Sequence, residues 1–215
     1  MYQCIVFDKD GTIFDTKSAA VGAFTRASKE LGIEYLPELL FGLVGIENEK
    51  ICERLLLAQN SDINPKIYGD LVHKYFTLYS EDGHLMFDGM LDLFVSLKSK
   101  GIKMCVATGN NHYNTNKLLI DNNLTQYFAL VMTADDVAHG KPNPEMLQVI
   151  SEFCNVPKEK MVMIGDSKQD IFMAQNFGCD SVGVSWGMQP RSELLDSNPT
   201  FIVDNIDELR KVLLS

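Results

Sequence analysis

Cysteine is scarce in this sequence and poorly placed for ligation: Cys4, Cys52, Cys105, Cys154 and Cys179 are odd in number, scattered, and free of any Cys-x-x-Cys spacing. That pattern argues against a disulfide framework and a structural zinc site, and for buried free thiols in a reducing, cytoplasmic setting. His73, His84, His112 and His139 likewise lack ligand-like spacing. Positive charge is in deficit, with 19 Lys and Arg against 29 Asp and Glu and a formal charge of −10. Nucleic acid and anionic membrane are therefore not expected partners, since both need a basic surface. An anionic small substrate must instead be held by individually placed cations. No apolar run approaches a membrane span, and the first acidic residue stands at position 8, leaving no room for a secretory leader. Internal repeats, low-complexity segments and the Gly-x-x-x-x-Gly-Lys-Ser/Thr phosphate loop are all missing.

What is present begins at the N-terminus. Cys4-Ile5-Val6-Phe7 reads as a short buried strand, and Asp8-Lys9-Asp10-Gly11-Thr12 follows at once. Two carboxylates one residue apart at a strand end fall where open parallel sheets hold ligands. Two like charges about 4 Å apart at an effective dielectric of about 20 repel by about 4 kcal/mol, so a cation, a proton or solvent must relieve them. Gly11 permits a turn directly afterwards. Seen alone, the pentapeptide also fits a solvated Asp-rich turn.

With 215 residues the chain can hold one large domain and a smaller one. After Thr12 it reads helical: Ala20, Phe24, Ala27 and Leu31 share a face, with Asp15 or Thr16 to cap the start and Gly32 to end it. Further helical segments run from Pro37, around Ile51 and Leu55, and through Leu71, Tyr75 and Leu78 to a stop near Gly83. Strand-like runs then recur at 104–107, 129–132, 161–164, 181–184 and 201–203. Helical stretches at 90–100, 114–122, 144–153, 169–177 and 206–214 lie between or beyond them. This alternation predicts an α/β fold: a doubly wound, mostly parallel sheet with helices on both faces. The first strand is separated from the rest by an all-helical insertion, far longer than a crossover needs. The expected domains are therefore a core of residues 1–15 and 88–215 and an inserted helical cap of residues 16–87.

The polar residues that follow four of the strand-like runs suit one task. They are Asp8 and Asp10; Thr108, Gly109 and Asn110; Lys141 within Gly140-Lys141-Pro142-Asn143-Pro144; and Asp166 and Asp170. A parallel sheet brings all these strand ends to the same edge. Each group taken singly also fits a plainer role: Thr108 to Asn110 a helix start, Lys141 a solvated loop lysine, Asp166 and Asp170 a cap and a first-turn carboxylate. Together, several carboxylates, a hydroxyl and a lysine match the needs of a phosphate ester and a hard divalent cation.

These motifs resemble those of the haloacid-dehalogenase-like hydrolase superfamily, in the phosphoglycolate-phosphatase-like branch whose helical cap follows the first strand. Ala174, Gly178 and the stretch 183–187 fit the same pattern, so the resemblance spans most of 1–15 and 86–190 and is weak in the cap. It implies that Asp8 is the nucleophile, forming an aspartyl-phosphate, and that Asp10 is the general acid and base. It further implies Mg²⁺ held by the Asp8 carboxylate, the Asp10 carbonyl and Asp166, with Asp170 in support. Thr108 and the Gly109 and Asn110 amides would bind phosphate oxygens, and Lys141 would neutralise Asp8 and the phosphoryl group. The expected partner is a small phosphorylated metabolite.

Dehalogenases of this resemblance lack an acid at the second position, and Asp10 favours phosphoryl transfer. A sugar phosphomutase must grip a second phosphate from the cap, yet residues 34–46 contain no Lys or Arg; Arg26, Arg54 and Lys74 keep that alternative open. Gly42, Gly45 and Ile46 fit either a substrate-facing cap loop or an interhelical turn. Lys9 stands where an apolar residue is usual and receives no role beyond a possible effect on the site entrance. A signalling receiver has its lysine after the final acidic motif, the reverse of the order here. A non-catalytic binding protein would not need the full catalytic set.

Overall fold

Residues in β1 (Cys4–Phe7), β2 (Lys103–Ala107) and β4 (Met161–Gly165) alternate between two apolar neighbourhoods, and that alternation organises the core. The computed structural model describes residues 1–79 and 86–214. Gly83, the expected helix stop, and His84 lie outside them. With β3 (Leu130–Met132), β5 (Asp180–Val184) and β6 (Phe201–Val203), these strands form one six-stranded sheet in the order β3-β2-β1-β4-β5-β6, with every pairing parallel. β1 and β4 are buried along their whole length, as strands covered on both faces must be.

Ten helices complete the described chain: α1 (Lys17–Leu31), α2 (Pro37–Leu43), α3 (Asn48–Leu57), α4 (Pro65–Tyr79), α5 (Met90–Ser99), α6 (His112–Asp121), α7 (Glu145–Cys154), α8 (Lys168–Phe177), α9 (Arg191–Asp196) and α10 (Ile206–Leu214). On one face of the sheet, Ile5, Phe7, Met104, Val106, Val162 and Ile164 pack with apolar residues of α5, α6 and α10. On the other, Cys4, Val6, Cys105, Ala107, Met161 and Met163 pack with α7 and α8. The period of two along each strand thus builds both halves of a doubly wound fold. All five thiols are free, and Cys4, Cys105 and Cys154 converge within the second cluster, a meeting that their scattered spacing conceals.

α1 to α4 bury a third, separate cluster around Phe24, Leu40, Ile51, Cys52, Leu55, Tyr68 and Val72. Inside it the Ser28 and Tyr68 hydroxyls bond to one another at 2.7 Å, so this buried polar pair is satisfied. The insertion is therefore a helical cap with its own core. Asp15 Oδ1 accepts the Lys17 N–H near the start of α1, and Gly32 closes that helix in the left-handed conformation. At the cap's base the two connecting segments lie side by side: Phe14 bridges Met86, and the Phe87 N–H donates to the Ile13 carbonyl.

Two local differences from the sequence reading have clear causes. α6 begins at His112, ahead of the expected 114, because the Asn111 side chain accepts the Asn114 N–H and caps it. The short α9 follows Pro190 and carries too few turns to leave a periodic signal.

Candidate active site

The strand order reverses direction between β1 and β4, and the carboxyl ends of those two strands carry Asp8 and Asp166. Gly11 makes the turn after β1 at φ +77°, and a Cβ there would lie 2.1 Å from Asp166 Oδ2. Only glycine lets the first loop pass so close to the second carboxylate. Asp8, Asp166 and Asp170 each place a carboxylate oxygen within 4.8 Å of the others, and all three are buried.

Lys141 reaches this cluster from the loop between β3 and α7. Its Nζ lies 2.6 Å from Asp8 Oδ1 and 2.6 Å from Asp170 Oδ1, with its side chain fully buried. The solvated-loop alternative for Lys141 is thereby excluded. Asp170 is the N3 residue of a capping box at the start of α8: its Oδ2 accepts from the Ser167 hydroxyl at 2.6 Å and the Ser167 N–H at 3.2 Å. It is not an exposed first-turn carboxylate, because both of its oxygens are engaged by buried donors. Asp166 Oδ2 accepts the Met188 N–H at 2.6 Å.

The electrostatics of this group define its need. Ionised together, three buried carboxylates against one ammonium would leave two negative charges unbalanced, the charge of one divalent cation. Burial, which outweighs the neighbouring Lys141, pushes Asp8 up to about 7, with Asp170 and Asp10 adding to the rise. Burial, reinforced by Asp8 and Asp170, holds Asp166 well above the ordinary carboxylate range. Burial alone would lower Lys141, but Asp170 and Asp8 outweigh it and keep the ammonium charged. An all-oxygen donor set with this charge fits a hard cation such as Mg²⁺.

Asp10 stands slightly apart, with 24 % of its side chain exposed. Its Oδ2 is 2.9 Å from Lys9 Nζ and accepts from Asn110 Nδ2 at 3.1 Å. Lys9 is fully buried, so it shapes no entrance; it is an internal counter-charge to Asp10. From Asn110 the contacts continue: Asn114 Nδ2 donates to Asn110 Oδ1 at 3.2 Å and lies 3.2 Å from His73 Nδ1 on the cap helix α4. Thr108 is buried, and its hydroxyl accepts the Asn110 N–H at 3.2 Å.

The cap is closed onto this edge. Gly45, at φ +93°, brings its loop so near the core that a Cβ would lie 2.3 Å from Ser167 Oγ. Gln189 ties the two parts together, donating from Nε2 to the Phe41 carbonyl at 3.0 Å while Oε1 accepts the Lys168 N–H at 2.7 Å. Between cap and core lies a cavity of about 100 Å³, lined at one end by Asp8, Asp10, Thr108, Gly109, Asn110 and Asp166. Gly45 and Ile46 line it from the cap, so their loop faces the site. Every core residue expected in the site meets at this edge. Gln189, His73 and Asn114 escape a sequence reading, since each acts through a contact across the fold and carries no motif of its own. The contacts of Lys9 with Asp10 and of Ser167 with Asp170 are local, but spacing alone does not show that they are buried.

The family model for the haloacid dehalogenase-like hydrolases matches residues 5–184. The chain is 30 % identical over 215 residues to a probable phosphatase, IndB, of Dickeya dadantii, covering 97 % of this chain and 92 % of that one. It is 29 % identical over 217 residues to a phosphoglycolate phosphatase of Vibrio parahaemolyticus, covering 97 % and 95 %. The crystal structure of a hydrolase from Pseudomonas syringae superposes with a TM-score of 0.87 at 19 % identity, covering 98 % of this chain and 99 % of that one, a likeness of fold. Motifs, topology and relatives agree: this chain belongs to the haloacid dehalogenase-like hydrolases.

Proposed function

We propose that the protein is a Mg²⁺-dependent phosphatase that hydrolyses a small phosphomonoester through an aspartyl-phosphate on Asp8. The observation that carries this reading is the meeting of Asp8, Asp166, Asp170 and Lys141 in one buried cluster, which once ionised holds two negative charges in excess. Asp8 and Asp166, with the Asp10 carbonyl, would hold the metal; Asp170, saturated by Lys141 and Ser167, supports it by orienting the lysine. When bound, Mg²⁺ supplies charge neutralisation for the phosphoryl oxygens and for the carboxylates beside them.

The protein's own groups then divide the work. Asp8 attacks phosphorus. Lys141 offsets the charge that attack brings beside Asp8. Asp10 delivers a proton to the departing alkoxide and withdraws one from the attacking water in the second step. Its partners Lys9 and Asn110 keep it aimed. Thr108 and the Gly109 and Asn110 amides receive the phosphate. In the closed form the Asn110 N–H is turned to Thr108 Oγ1, a contact that an incoming phosphate oxygen replaces. The cap of residues 16–87 opens to admit substrate and closes to exclude water.

A mutase needs a cation in the cap for a second phosphate. Arg26 and Lys74 lie against the Tyr75 ring and Arg54 is exposed, and none lines the cavity. The test is phosphate release with Mg²⁺: Asp8→Asn and Asp10→Asn are each expected to abolish it while near-UV circular dichroism stays native. Near-normal turnover by Asp10→Asn would remove that residue from the acid–base role.

A further inference from the structure

The two ends of the cavity differ in kind, and the difference specifies the leaving group. Beyond the catalytic carboxylates, the walls are Phe24, Leu40, Ile51, Val72 and Phe76, the same side chains that build the cap's core. Among the described lining residues outside the catalytic set, His73 alone is ionisable. It stands 3.2 Å from the Asn114 amide nitrogen, and Asn48 supplies another neutral hydrogen-bonding group. Every lysine and arginine between residues 16 and 79 is exposed, and none lines the cavity. Several are turned to other partners: Lys17 to the Phe41 ring, Lys50 to Glu47, Lys66 to Asp70. Residues 80–85 contain neither lysine nor arginine.

Resting on the phosphatase reading, we infer that the substrate is the monophosphate of a neutral, mainly apolar alcohol, with hydroxyl groups as its only polar additions. A carboxylate or second phosphate on the leaving group would be buried against apolar walls with no lysine or arginine among the described lining residues to meet it. It would also share a closed space with Asp8, Asp10 and Asp166. Such a charge loses its hydration and gains nothing in return. An alkyl or aryl body displaces water from those walls, and a hydroxyl can reach His73, Asn48 or Asn114. The cap thus selects against acidic leaving groups as much as for apolar ones.

The experiment compares kcat/KM, with Mg²⁺, for n-propyl phosphate, phosphoglycolate and inorganic pyrophosphate, which differ in the charge beyond the phosphoryl group. Beryllofluoride binding, read by fluorine NMR, reports Asp8 and its cation independently of any leaving group. The neutral ester is expected to be preferred over both anionic substrates by at least about 30-fold. Phe76→Arg should narrow that preference by about tenfold, by placing a cation in the chamber. Equal or better turnover of phosphoglycolate or pyrophosphate by the wild-type protein, with beryllofluoride bound, overturns the inference and leaves the phosphatase standing. Binding of beryllofluoride with no ester hydrolysed also overturns it. Failure of both beryllofluoride binding and hydrolysis removes the phosphatase reading and this inference together.

Discussion

The core end and the cap end of the cavity are built by opposite means. At the core end, ionic side chains on loops after buried strands are forced together by sheet topology. Their mutual repulsion is tolerated because Lys141 bridges two of them and the remainder suits a metal. At the cap end, helices present the inner surface of their own hydrophobic core to the cavity, so Phe24 and Val72 serve both packing and selection. Chemistry here depends on charges that the fold must compensate, whereas selectivity depends on charges that the fold withholds. Substitutions at the two ends should therefore fail differently, at the core in kcat and at the cap in the choice of substrate.

The sharpest break of that contrast is the removal of a core charge. Asp8→Asn and Asp10→Asn have the largest expected effect, complete loss of turnover. Next comes Lys141→Met, for which kcat should fall by about three powers of ten, the rate equivalent of about 4 kcal/mol of unrelieved repulsion. Without metal the same variant should lose about 3–5 kcal/mol of stability, because Asp8 and Asp170 would share a buried site uncompensated. Urea unfolding and single-turnover kinetics check the two halves. A variant that loses only substrate affinity would assign Lys141 to binding alone.

A smaller effect concerns the metal and its pH dependence. The fold raises Asp8 to about 7, above its ordinary carboxylate range, so it favours the protonated form. In the metal-free protein this group's contribution to stability is full below the ordinary aspartate range and is lost as pH rises through about 7. A cation bound to the ionised oxygens acts in the opposite direction. The gain in Tm from saturating Mg²⁺ should then be larger at pH 8 than at pH 5, and should shrink in Asp8→Asn. Equal gains at both pH values would place the cation away from Asp8.

The same contrast sets how much could be read before folding. Asp8, Thr108 and Asp166 were legible because a charged or hydroxyl residue directly after an apolar run is conspicuous, and parallel topology leaves those runs one shared edge. Asp10, Lys141 and Asp170 stand further along the segments that follow, where each taken alone also fits a plainer role. The sheet was legible through the same runs. The cap's selectivity was not, since Phe24, Ile51 and Val72 at helical spacing look identical whether they face a core or a cavity. Lys9 receives no role from sequence because sequence shows its position at a strand end but not that its buried ammonium turns to meet the Asp10 carboxylate. Gln189, tied to Phe41 across 148 positions, carries no local signature at all.

Gln189 is also where the two ends meet, and it offers the finest test of their separation. Its amide joins the start of α8 to the cap backbone, outside both the phosphate loop and the apolar chamber. Gln189 is buried, and Gln189→Ala removes both bonds, each with a net worth of about 1 kcal/mol. The cap would then close less favourably without any change in the groups that react. KM should rise about threefold to tenfold with kcat nearly constant, since only the weight of the closed form changes. The preference for a neutral ester should persist, because the chamber walls are untouched. A drop in kcat at unchanged KM would mean that Gln189, through the Lys168 amide at the start of α8, also holds Asp166 or Asp170 in register, and that cap closure and charge placement are a single device.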